Sequence, residues 1–112
     1  MAKIKTDYEN VMKMIRQICP DTVIFSCLVP PTRDNRTNGR IRQLNGFIQQ
    51  LTQNSSGMFW LAPAVLDKQF FSWDKRFQCY LHFNYEGKRM FVNNLMSLLN
   101  GPFQVIQFLH QT

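Results

Sequence analysis

Acidic residues, cysteine and long apolar stretches are all scarce in this chain. Seven Asp and Glu stand against thirteen Lys and Arg among 112 residues, a net charge of +6 at neutral pH. That excess favours polyanions or acidic surfaces as partners, and it bears on encounter and solubility more than on fold. The three cysteines are an odd number, with no CxxC pair and no Cys/His spacing of the zinc type. They argue against a disulfide framework and a structural metal site, and they suit the reducing cytosol. No motif for an organic cofactor is present. The longest apolar run, Val23 to Val29, is far short of the ~20 residues that span a bilayer. The opening MAKIKTDYENVMKMIRQ is charged throughout and has no apolar core of the kind a secretory signal needs. Internal repeats and low-complexity tracts are absent too. The expectation is a soluble, cytoplasmic protein without a membrane partner.

What is present is globular. Hydrophobic residues make up 45% and charged residues 18%, and a chain of this length is at most one domain, burying roughly two-thirds of its unfolded surface. Ile4, Tyr8, Val11, Ile15 and Ile18 are spaced four, three, four and three apart, which predicts one buried face of a helix stopped by Pro20. Thr22 to Val29 is short, β-branched and almost continuously apolar, as in a strand covered on both faces, and Pro30-Pro31 ends it. Thr32 to Gly39 reads as a loop. Ile41, Leu44, Ile48 and Leu51 mark a second amphipathic helix, with Thr37 or Asn38 as its N-cap. Met58 to Leu61 is a second short strand. Ala64 to Tyr80 is the least regular part, with Phe70, Phe71, Trp73, Phe77 and Tyr80 interleaved with Lys68, Lys75 and Arg76. Asn84 is the expected cap of a third helix carrying Phe91, Leu95, Leu98 and Leu99 on one face, ended at Asn100-Gly101-Pro102. The tail from Phe103 to Leu109 is apolar and unassigned. The order α-β-α-β-loop-α is that of a three-layer α/β protein, yet two parallel strands are fewer than a stable sheet of this kind needs.

Three stretches bear on function. Val23 to Pro31 is a buried strand running into Pro-Pro and a polar loop. Ile41-Arg42-Gln43-Leu44-Asn45-Gly46-Phe47-Ile48 is a helix with a Leu-Asn pair. Cys79-Tyr80-Leu81-His82-Phe83-Asn84-Tyr85-Glu86-Gly87 sets a histidine before a turn and a glycine that opens a helix. In this order they resemble the fourth strand, the following helix and the last sequence block of SGNH hydrolases, the GDSL esterase/lipase superfamily. The resemblance covers roughly residues 4 to 100. It implies a partial three-layer, flavodoxin-like fold with a short parallel sheet, residues 1–112 forming one partial domain with a tail over 103–112 of uncertain structure.

In that family a serine nucleophile, a histidine base and an aspartate form a triad, and backbone and side-chain donors form an oxyanion hole. Carried over residue by residue, His82 matches the general base, while Cys79 stands at the position of the acid. No Gly-Asp-Ser and no Gly-x-Asn-Asp occurs in the sequence. The resemblance therefore implies an esterase-fold protein that is truncated and non-catalytic on its own, with His82 a remnant. A second implication is the C-terminal part of an active carboxylic-ester hydrolase. A Cys79–His82 nucleophilic pair, or Asp74 acting as a displaced acid, are the ways in which chemistry would survive. Ser26 is expected to satisfy a local partner within its strand, and Cys19 and Cys27 to be small buried or half-buried residues.

Arg33, Arg36, Arg40 and Arg42 make the densest basic cluster. Their bland reading is a solvated loop; their functional reading is phosphate contact. The aromatics of 70–80 read either as the core of that segment, the favoured reading, or as a surface on which bases stack. Because SGNH-type domains occur in some retroelement proteins, the resemblance also implies a third class, a basic nucleic-acid-associated module of retroelement origin. In the family's strand order the two strands are neighbours, and Thr22–Val29 has lost an inner partner. Such an apolar edge invites pairing with another chain, so marginal stability or oligomerisation is expected.

Overall fold

The computed structural model describes residues 1–111, with side chains described through Gly101. The described residues form a mixed α/β fold with three α-helices and two two-stranded sheets. The chain divides into two compact units, Met1–Val29 with Asn35–Ala62, and Pro30–Asp34 with Pro63–Thr112.

The first unit holds α1 (Ala2–Ile18), β1 (Ile24–Cys27), α2 (Asn35–Gln53) and β2 (Met58–Leu61). β1 and β2 run parallel, from Ile24 opposite Met58 to Cys27 opposite Leu61. The ladder is extended by Ile24 N–H donating to the Gly57 carbonyl and Leu28 N–H to that of Leu61, at 3.0 and 2.8 Å. α2 packs on β2 and supplies the most deeply buried side chains, Ile48 at 1% and Thr52 at 2% exposure. Thr52 tolerates this burial because its hydroxyl donates to the Ile48 carbonyl one turn back, at 2.9 Å. Asn45 fixes the exit of β1: its Oδ1 accepts from Val29 N–H at 2.8 Å and its Nδ2 donates to the Val29 carbonyl at 2.9 Å.

α1 turns a different stripe inward from the one its apolar spacing predicts. Met12 is buried and Tyr8 half-buried, edge-on to Phe47 at 6.4 Å, whereas Ile4, Val11, Ile15 and Ile18 are exposed, Ile18 at 73%. The cause is Arg16. Its guanidinium donates to the carbonyls of Pro20, Thr22 and Ser56 at 3.1, 2.6 and 3.1 Å, which commits the stripe Tyr8–Met12–Arg16 to the interior side. β1 is likewise not covered on both faces, since within it only Ser26 is buried. Among the described residues Ser26 Oγ has no hydrogen-bond partner, contrary to the expectation of a local one. Cys27 is half-buried as expected, and Cys19 is exposed. α2 begins at Asn35 rather than beyond Thr37 or Asn38, so most of the polar TRDNRTNG stretch is helix.

The second unit contains a 3₁₀ turn at Lys68–Phe70, β3 (Phe71–Asp74), β4 (Cys79–Phe83) and α3 (Tyr85–Gln111). The segment that looked irregular is a β-hairpin. β3 and β4 pair antiparallel, Phe71 with Phe83, Ser72 with His82, Trp73 with Tyr80 and Asp74 with Cys79, and the register shifts between Ser72 and Trp73, leaving Leu81 as the extra residue. Asp74 builds the turn: its Oδ1 accepts from the N–H groups of Arg76 and Phe77 at 2.8 and 3.0 Å. Gln78 completes it with a φ of +50°.

Asn84 caps α3 as expected. Its Oδ1 accepts from Gly87 N–H at 2.8 Å, while its Nδ2 reaches back to the Gln69 carbonyl at 2.8 Å. Phe71, Phe83 and Phe91 join the hairpin to the helix, with ring centroids 4.9 and 5.6 Å apart. α3 does not stop at Asn100-Gly101-Pro102. Gly101 does not take the left-handed conformation that caps and ends many helices. The side chains of the apolar tail, Phe103 to Leu109, lie outside the described residues. Among the described residues no helix is long and apolar enough to cross a membrane.

Candidate functional site

His82 is the penultimate residue of β4, and its side chain is 71% exposed. The register sets Ser72 directly opposite it, and the two-residue period of β3 puts Asp74 on the same face. His82 Nε2 lies 3.4 Å from Asp74 Oδ2, whose carboxyl is 19% exposed. The acid beside the histidine is thus Asp74, eight residues upstream, carried there by the hairpin. Cys79 stands across the ladder from Asp74.

A serine, a histidine and an aspartate therefore share one face of a two-stranded ribbon, but their bonding is not that of a triad. Ser72 Oγ donates to the main-chain carbonyl of His82 at 3.4 Å. The other oxygen of Asp74 is taken by the turn, and those backbone donors, first Phe77 and then Arg76, hold its carboxyl below the usual aspartate range, assisted by His82 and by the Arg76 guanidinium. Cys79 is unsuited to attack. Burial, then the neighbouring carboxylates of Asp34 and Asp74, push its thiol above the ordinary cysteine value, away from thiolate. Cys27 is pushed the same way by burial. Among the described residues no group of three or more Cys, His, Asp or Glu is placed to hold a metal ion.

An open groove of about 420 Å³ on the hairpin is lined by Arg33, Lys68, Trp73, Gln78, Cys79 and Tyr80. Lys68 Nζ sits 4.6 Å from the Tyr80 ring centroid. Trp73 meets Tyr80 edge-on, centroids 5.1 Å apart at 73°. Arg33 is drawn in by its N–H, which donates to the Tyr80 carbonyl at 3.1 Å, and its guanidinium lies 3.7 Å from Asp67. Trp73 and Phe77 are 53% and 55% exposed, so these two aromatics are surface and not the core of their segment. Arg76 lies 4.9 Å over the Phe77 ring.

The basic cluster seen in the sequence is divided by the fold. Arg33 belongs to the second unit, while Arg36, Arg40 and Arg42 are exposed on α2 of the first. Arg36 and Arg40 are one turn apart on a shared stripe, and Arg42 projects elsewhere around the helix. Sequence reasoning did not name Ser72, and it read the aromatics of 70–80 and Arg33 separately, as a stacking surface and a phosphate contact, without bringing them into one groove. The signal for both is the alternation Phe71-Ser72-Trp73-Asp74, apolar to one side and polar to the other.

No family model, no curated protein and no solved structure matches this chain.

Proposed function

We propose that this chain is a non-catalytic protein on a partial SGNH-type esterase scaffold, acting by interaction and not by ester hydrolysis. The observation that carries this reading is the bonding around His82. Its partner acid is committed to a turn, and the serine opposite it bonds to backbone. A histidine base needs a nucleophile within reach and an acid that orients it, and these groups act as a unit. Parallel β1 and β2 around α2, and the sequence His82-Phe83-Asn84 leading into a capped helix, support the SGNH-type ancestry. The antiparallel hairpin is a departure from the family's pattern of parallel strands.

The Asp74–His82 pair favours one second reading: the C-terminal part of a working carboxylic-ester hydrolase, its serine supplied from outside these 112 residues. Hydrolysis of a short-chain p-nitrophenyl ester by the purified chain, with His82→Ala, Cys79→Ala and Ser72→Ala beside it, tests the first reading. The expected result is a rate no higher in the parent protein than in the three variants. Activity abolished by His82→Ala would overturn it.

A further inference from the structure

The groove on the hairpin and the Arg33 segment belongs to neither reading of His82. It brings together an indole more than half exposed and two cations. Lys68 is held over Tyr80, and the main chain of Arg33 is hydrogen-bonded to the carbonyl of that same tyrosine. The edge-on contact with Tyr80 supports the Trp73 ring without stacking on it, and leaves it available to a flat partner.

We propose that this groove binds single-stranded nucleic acid, one unstacked base lying on Trp73 and the adjoining phosphates meeting Lys68 and Arg33. The chemistry selects this partner. A base offers a π face to an indole regardless of sequence, and a phosphate is the complement of the lysine and arginine flanking it. A volume of about 420 Å³ is that of an ordinary small-ligand site and is open enough for a chain to enter and leave. The Arg33–Asp67 contact at 3.7 Å is between exposed groups, a weak pair that a phosphate can displace. Phe77, 55% exposed with Arg76 over its ring, offers a second aromatic and cation on the same hairpin for the next nucleotide. Paired bases in a duplex hide their faces and cannot use either ring, so the groove discriminates by strand state.

The test is fluorescence anisotropy of labelled oligo(dT) and oligo(rU) of about 15 nucleotides, with a duplex of equal length and a polyglutamate peptide as competitors. Binding of either single strand is expected at about 50 mM salt, falling as salt rises, and the two strands show whether DNA or RNA is preferred. Trp73→Ala is expected to weaken binding about tenfold or more, Trp73→Phe much less, and Lys68→Gln to lower the salt slope by about 0.7. The double variant Arg36→Ala/Arg40→Ala on α2 serves as the charge control and is expected to cost less than Trp73→Ala. Circular dichroism of each variant confirms that the hairpin remains folded. Absence of binding at low salt would overturn the proposal, as would equal affinity for duplex or polyglutamate. Trp73→Phe weakening binding as much as Trp73→Ala, or the α2 variant weakening it more than either, would overturn it equally.

Discussion

Gly87 is the position at which the second unit is most sensitive to one carbon atom. It is the third residue of α3, and its N–H is the one Asn84 caps. A Cβ built there collides with the carbonyl oxygen of Phe70 and stands 3.1 Å from both the Phe70 carbonyl carbon and Phe83 Cβ. That carbonyl cannot swing aside freely, because it accepts the Asn84 N–H at 2.9 Å. Two effects compete in Gly87→Ala. Alanine gains about 1 kcal/mol of helix propensity over glycine. Against this, forcing an atom into a filled backbone contact costs about 1–3 kcal/mol, and displacing the Phe70 carbonyl weakens a hydrogen bond contributing about 1 kcal/mol. The collision is with backbone rather than with a flexible side-chain end, so the upper part of that range applies and the net loss is about 2–3 kcal/mol. Urea unfolding followed by Trp73 fluorescence, in a Trp60→Phe background so that only the second unit reports, should show a lower midpoint at unchanged slope. A midpoint equal to or above that of the parent would refute the reasoning, since propensity would then have outweighed the contact.

Other consequences are open to the same kind of measurement. Asn84→Ala removes the cap of α3 and the bond to Gln69, and should cost about 1–2 kcal/mol in urea unfolding. Ser26→Ala removes a buried hydroxyl with no partner, and should leave stability unchanged or raise it by about 1 kcal/mol; a clear loss would mean that Ser26 Oγ is bonded. The carboxyl of Asp74 titrates lower in the folded chain than in the unfolded one, so its stabilisation is present above the ordinary aspartate range near pH 4 and is lost as pH falls through the lower folded value. Asp74→Asn should flatten that part of the stability–pH curve, and an identical curve would contradict the turn assigned to Asp74. The two-stranded β1–β2 sheet and the exposed stripe Ile4, Val11, Ile15, Ile18 predict concentration-dependent self-association in sedimentation velocity, while a monomer at every concentration would count against it.

Sequence signals are legible where they act over a few residues. The cap Asn84 with Gly87 after it, the apolar run Met58–Leu61, and the helix ending before Pro20 are each set by backbone chemistry within one or two turns. What the sequence concealed depends on distant partners. The hairpin is pinned by Asp74 folding over its own turn, and its bulge at Leu81 breaks the period that would have revealed β4. The inward stripe of α1 is chosen by Arg16 reaching carbonyls as far along as Ser56, which no helical periodicity registers. The site divides in the same way. His82 stood out by type, but its pairing with Asp74 and the exposed face of Trp73 exist only because two strands meet.

On the proposed reading, His82 activates no nucleophile in this chain. A fluorophosphonate probe, which bonds covalently only to an activated serine, tests it in one intact-mass measurement. The protein should keep its parent mass after prolonged exposure. A single adduct mapped by peptide sequencing to Ser72, and absent from His82→Ala, would contradict the account.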